Sequence, residues 1–211
     1  PLMWHDRVAA LRGSRAVGHD RGMRSAERPP VTGVRIEAWS PRQFAGRVED
    51  AMGIYVRAMR YPERTGMQRA VSARKHASID GFTCRVALDE HGNLIGFGYG
   101  YTTMPGQWWH DLVRRAVSRE VAADWLTNAF ELSELHVLPE YQGFGVGRRL
   151  LMALAGAIPH AAMLLSTPDT DTRAFRLYRD TGFVDLARNY LFPGDSRPFA
   201  VLGARLPLTG Q

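Results

Sequence analysis

Three glycines fall within five residues in the stretch ELSELHVLPEYQGFGVGRRLL, residues 131–151. Gly143, Gly145 and Gly147 lie between a segment that reads as a strand and one in which Val146, Leu150, Leu151, Leu154 and Ile158 recur at helical spacing. A strand passing through so bare a turn into a helix gathers free backbone N–H groups and the positive end of a helix dipole at one point, which is an anion site. Two phosphate loops are excluded. The P-loop needs a Lys followed by Ser or Thr, which this stretch lacks. The dinucleotide fingerprint needs a third glycine where Arg148 stands, and an acid about twenty residues on, where Leu164 to Pro168 stand.

The pattern around this turn defines the domain. VRIEAWS alternates like a strand, and Ser40 then Pro41 read as the N-cap and first position of a helix. A helical region runs to about Ala77, broken near Tyr61-Pro62, and FTCRVALD, EHGN and LIGFGYGYT form a hairpin. Residues 103–128 carry Trp108 and Trp109 and then a helical stretch, read as an insertion before the strand AFELSELHVLP. After the glycines come a helix, the strand AMLLS, the helix TRAFRLYRDTG, and two more strands. That order predicts an α/β fold, a mixed sheet in three layers. The domain is expected over 34–211, with 1–33 as an extension that is flexible or a short helix.

Gln142-Gly143-Phe144-Gly145-Val146-Gly147 matches the Q/R-x-x-G-x-G/A signature of the GNAT superfamily of acyl-CoA-dependent N-acetyltransferases, and TRAFRLYRDTGF resembles that family's closing segment. The resemblance covers roughly residues 34–206 and is sharpest over 129–184. It implies a central sheet of about six to seven strands with helices on both faces. It also implies acetyl-CoA as co-substrate, its pyrophosphate held by the backbone of Gln142, Gly143, Phe144, Gly145, Val146, Gly147 and Arg148. In the family the preceding strand splays from its neighbour, so the backbone of Leu135, His136 and Val137 is expected to pair with the pantetheine arm as a strand would.

Acetyl transfer to an amine needs a base for the ammonium and a proton for the departing thiolate. Strict alternation along 131–138 puts Glu131, Ser133, Leu135 and Val137 on one face and Leu132, Glu134, His136 and Leu138 on the other. Two carboxylates inside a central strand are costly to bury without purpose. By the resemblance, Glu131 and Glu134 each stand at a position the family uses for its base, and Glu131 is favoured. Tyr178 stands where the family's tyrosine approaches the CoA sulfur. Where the family often has asparagine seven residues earlier, this chain has Asp171, which puts that contact in doubt. Trp108 and Trp109 are candidates for the acceptor site. The absence of a GxSxG elbow or a well-placed cysteine points to direct attack in a ternary complex.

Composition narrows the partners. Cys84 is the single cysteine and alternates with Phe82 and Val86, as a core residue would; no HxH or HExxH pattern suggests a metal. The formal charge is +6, but only Lys75 is lysine among 27 basic residues, and half the excess lies in residues 1–33 without a nucleic-acid motif. No apolar run is long enough for a membrane span, and the reading is a cytoplasmic protein. The acceptor stays open between a small amine and a protein amine. Arg57, Arg60, Arg64, Arg69, Arg114, Arg115 and Arg119 outnumber Glu63, Asp111, Glu120 and Asp124, which disfavours strongly cationic acceptors. A homodimer also stays open, and a catalytically degenerate acyl-CoA sensor is the alternative function.

Overall fold

The computed structural model describes residues 33–210 of the 211. The extension expected over 1–33 lies, apart from Gly33, outside the described residues. The elements follow as β1 (Arg35–Trp39), α1 (Pro41–Gly46), α2 (Val48–Met59), α3 (Glu63–His76), β2 (Thr83–Leu88), β3 (Leu94–Thr102), α4 (Trp108–Ala116), α5 (Arg119–Trp125), β4 (Ala129–Val137), α6 (Val146–Ala155), β5 (Ala162–Pro168), α7 (Arg173–Asp180), β6 (Val184–Tyr190) and β7 (Phe199–Arg205). They build one seven-stranded mixed sheet in the order β1-β2-β3-β4-β5-β7-β6.

Local chemistry sets several boundaries. Ser40 caps α1 in a full capping box with Gln43, and Pro41 stands at its start, where no N–H is required. The helical region breaks where Arg60 takes a left-handed conformation (φ 56°) and Pro62 opens α3. The stretch after β3 is two helices, because Val117 is extended and Ser118 caps a new start on the Val121 N–H.

Strand β3 shows how the sheet takes helices on both faces. Its glycines and aromatics alternate: a side chain at Gly96 or Gly98 would run into Leu150 and Leu154 of α6. Tyr99 instead turns to the opposite face, against Phe44 of α1 and His76 of α3. Cys84 is buried in the core on this sheet, and burial pushes its thiol up to about 12, so it acts as packing.

The sheet is nearly two sheets. Strands β4 and β5 are parallel neighbours but pair only from Ala129–Ala162 to Glu131–Leu164. Beyond Glu131 they diverge, while β4 stays paired with β3 as far as Val137–Gly96.

Candidate active site

The divergence places a free strand edge and the glycine turn side by side. Leu135, His136 and Val137 pair with β3 on one side only, so their other edge faces the opening beside β5. A 3-10 turn, Pro139–Tyr141, then delivers the chain to Gly143 (φ 91°) and Gly145 (φ 78°), conformations that a side chain resists. Gly145 is the N-cap of α6 and no side chain caps that end. The first N–H groups of the helix are therefore left to a ligand or solvent. Gln142 is tied back by its amide nitrogen to the Val137 carbonyl at 2.9 Å, which fixes the turn to the strand. Phe144 is half-buried and Val146 roots the helix in the core.

Arg148 turns away from this loop. Its guanidinium donates to the Gly210 carbonyl at 3.0 Å and lies 3.8 Å from Asp180. The cation beside the glycines is instead Arg173, whose guanidinium bonds Gln142 Oε1 at 3.5 Å and lies 3.8 Å from where a Gly143 side chain would begin. Sequence reasoning missed Arg173, since only the docking of α7 brings it there. Asp171 pairs with Arg176 at 2.7 Å in solvent.

On the other side of the sheet the two glutamates meet. Strict alternation would send them to opposite faces, but β4 is bulged: Tyr99 stands opposite Glu134, Gly100 opposite Leu132, and Ser133 is the extra residue. Glu131 and Glu134 therefore share the face of Tyr101 and Tyr99, which corrects the face assignment drawn from simple alternation. Gly100 is what permits this, because a Cβ there would fall 2.1 Å from the Glu131 carbonyl oxygen and 2.4 Å from the Phe130 ring.

The two carboxylates have unlike neighbours. Glu134 is buried and ion-paired with Arg69 of α3, whose Nε donates to Oε1 at 2.6 Å, while its Oε2 lies 2.5 Å from His136 Nε2. Burial opposes the charge on Arg69, but Glu134, with Tyr99 and Tyr55 beside it, more than offsets that and raises the guanidinium's pKa further. Arg69 was counted above as an acceptor-side cation; its charge is met by Glu134. Glu131 is 5% exposed, accepts one bond from the Tyr101 hydroxyl at 3.1 Å, and has no partner for Oε2 among the described residues. Burial raises its pKa to about 8, against the opposing effects of the Tyr101 bond and the Arg69 charge.

Glu131 lines a cavity of about 290 Å³. Its other walls include Arg69 and His76 from α3, Trp108 and Trp109 from α4, and Ser166 from β5. Trp109 donates its indole N–H to Ser166 Oγ at 3.1 Å, and Trp108 stacks on Phe192 at 5.9 Å. Glu134 is not among the cavity's walls. Tyr178 lies in the core between α6, α7 and β5, with Leu132 and Leu165. Its ring meets Phe183 at 5.4 Å, and burial followed by the charge of Glu134 raises its pKa. The base candidate and the tyrosine thus flank the divergence from opposite faces.

The Acetyltransferase (GNAT) family model matches residues 48–183, which hold the glycine turn, both glutamates, Arg69, Tyr178 and the two tryptophans. The chain belongs to the GNAT family. It is an acetyltransferase of that family, and the family uses acetyl-CoA. A GCN5-like protein acetyltransferase of Mycobacterium tuberculosis is 39% identical to this GNAT chain, the match covering 80% of this chain and 96% of the relative. Among solved structures, a GNAT-family protein of Desulfovibrio desulfuricans has a TM-score of 0.59 at 13% identity, covering 82% of this chain and 99% of the other. A Salmonella typhimurium protein solved with its cofactor acetyl-CoA gives 0.58 at 16%, covering 85% and 98%. Both confirm the GNAT fold. Among the described residues no helix is long and apolar enough to cross a membrane, and no group of three or more His, Cys, Asp or Glu is placed to hold a metal.

Proposed function

We propose that this GNAT chain moves the acetyl group of acetyl-CoA to a primary amine by direct attack in a ternary complex. The observation that carries the reading is Glu131: a buried carboxylate oxygen without a partner, on the wall of a cavity, at the point where the sheet opens. Acetyl-CoA supplies the thioester. The residues fit it, with the backbone from Gln142 to Gly147 as the cradle for its pyrophosphate, the free edge of Leu135, His136 and Val137 for its pantetheine arm, and Arg173 as the nearby cation.

In this reading Glu131 Oε2 takes the proton of the acceptor ammonium, and the neutral nitrogen forms a bond to the thioester carbon. As the carbon–sulfur bond breaks, Tyr178 gives its hydroxyl proton to the sulfur, and the second proton lost by the nitrogen restores the phenol, leaving amide, thiol and protonated Glu131. Glu134 holds Arg69 and His136 in place and does not meet the amine. Trp108 and Trp109 pack the stem that carries the amine. The named activity of the mycobacterial relative makes a protein amine the first acceptor to test, and a cavity of about 290 Å³ suits one amine-bearing side chain.

The test is release of CoA from acetyl-CoA with lysine-containing peptides, amino acids, aryl amines, polyamines and aminoglycosides, alongside calorimetric binding of acetyl-CoA. Binding with turnover of at least one amine is expected, and Gly145→Glu is expected to abolish both. Binding without release from any amine would instead mark an acyl-CoA sensor.

A further inference from the structure

The carboxylate of Glu131 is held by one oxygen only. Oε1 accepts the Tyr101 hydroxyl at 3.1 Å, and Oε2, also shut off from solvent, has no partner. Tyr101 stands directly opposite Glu131 across the β3–β4 pairing, and both line the same cavity. Ser133, the bulged residue, lines that cavity as well, between the β4 partners of Tyr101 and Tyr99. Tyr99 is anchored in turn to His76 Nδ1 at 3.0 Å. Tyr101 therefore gives its hydroxyl proton to Glu131. Burial, and next the charge of Glu131, hold the phenol's ionisation well above its ordinary value, so it stays a donor over the whole working range.

We propose that Tyr101 is a positioning residue that reserves Oε2 of Glu131 for the acceptor amine. This rests on the reading of Glu131 as the base. A glutamate's terminal torsion is broad, so a carboxylate with no fixed oxygen presents either one in many directions. Tying Oε1 removes that freedom and leaves a single lone-pair direction into the cavity. The tie acts on the step in which the proton moves and does little for binding, so its loss falls on kcat rather than KM.

The bond has a second consequence. A hydrogen bond to the charged form favours that form, so Tyr101 helps Glu131 ionise. The other groups facing Glu131 are Arg69 and His76 from α3, Tyr99 from β3 and Glu134 from β4; Trp108 and Trp109 of α4 and Ser166 of β5 carry no charge. Arg69 favours the carboxylate and Glu134 opposes it. Tyr101→Phe leaves all of these in place, so any change in the pH profile belongs to the lost hydroxyl.

The experiment measures kcat and KM from pH 6 to 10 for the full chain, Tyr101→Phe and Glu131→Gln, with acetyl-CoA and a lysine-containing peptide. Tyr101→Phe is expected to lower kcat about 10- to 100-fold, to leave KM for the peptide unchanged, and to move the rising limb of the profile to higher pH. Parent-like kcat and an unmoved limb in Tyr101→Phe would overturn the proposal. An active Glu131→Gln would overturn the base assignment itself; an inactive Glu131→Gln beside a parent-like Tyr101→Phe would overturn the positioning role alone. Infrared difference spectra give a readout independent of turnover. The protonated Glu131 carbonyl band, identified by its absence in Glu131→Gln, should shift in Tyr101→Phe, and an unshifted band would count against the proposal.

Discussion

Glu131 and Glu134 stand three residues apart on one strand, on the same face, almost equally buried, and in opposite circumstances. The Glu134 carboxylate meets a guanidinium through one oxygen and an imidazole through the other. The Glu131 carboxylate meets one phenol and then a cavity. A fully met buried charge is part of the framework, and removing a partner leaves the other exposed to the full cost of burial. An unmet buried oxygen costs stability where it stands, and it persists where chemistry requires it. The difference separates a structural carboxylate from a reacting one, which burial alone does not.

The sharpest way to break the contrast is to neutralise each in turn. Glu131→Gln is expected to lower kcat/KM for the amine by about 10²- to 10⁴-fold, the range of general-base catalysis, with acetyl-CoA binding and folding retained. Glu134→Gln should instead lower the melting temperature first. Steady-state kinetics with thermal denaturation decide it: a stable Glu134→Gln protein that loses turnover as steeply as Glu131→Gln would erase the distinction.

The pH dependence of stability sharpens it further. Glu131 has its pKa raised from 4.5 to about 8 by burial, so the folded state holds that proton more tightly than the unfolded chain. Its contribution is complete below pH 4.5 and is lost as the pH rises through 8, amounting to roughly 5 kcal/mol for a shift of this size. His76 runs the other way. Burial, then the charge of Arg69, lowers it from 6.5 to about 3, so its contribution is present above 6.5 and lost as pH falls toward 3. Urea unfolding from pH 5 to 9 should show the parent losing stability relative to Glu131→Gln as the pH rises, and parallel curves would contradict the burial-raised pKa.

Arg69→Met tests the other carboxylate. It takes the guanidinium away from Glu134 inside the core, and the expected loss is about 3–5 kcal/mol, as for one partner removed from a buried pair. Chemical denaturation measures it. The double change Arg69→Met with Glu134→Leu should recover much of the loss, since it removes the stranded charge; no recovery would show that Arg69 acts mainly by packing.

These contrasts were unevenly legible in the sequence. The glycine turn was plain, because a strand, three glycines and an amphipathic helix are contiguous, and the elements from Ser40 to the β2–β3 hairpin follow from caps and turns of a few residues. Both glutamates and both tryptophans could be named as candidates. Their relation could not, because the bulge depends on how β4 registers with β3, and a period-two count cannot contain an extra residue. A signal was present in Gly96, Gly98 and Gly100, alternating with Phe97, Tyr99 and Tyr101: one bare face and one aromatic face, with Gly100 where the backbone approaches closest. Arg69 was counted among acceptor-side cations, although it shares the buried stripe of α3 with Ala70, Ala73 and His76. Its partner lies 65 residues away, beyond any local pattern.

The smallest expected effect lies in the wall opposite Arg69. Trp109 reaches from α4 to β5 and donates to Ser166 Oγ at 3.1 Å, past the last β4–β5 pair, so it ties the acceptor cavity to the far side of the divergence. Trp109→Phe keeps an aromatic ring against Val113 and Leu164 in the same core but removes the donor. The loss of one neutral hydrogen bond is expected to cost about 1 kcal/mol in unfolding free energy. If the cavity holds the amine's stem, KM for the amine should rise severalfold while KM for acetyl-CoA and the pH profile set by Glu131 stay put, because Trp109 touches neither the glycine turn nor the carboxylate. An amine KM that does not move, or an acetyl-CoA KM that moves with it, would mean that the tryptophan closes the core and not the acceptor site, and the cavity's two walls would then be alike in serving only the fold.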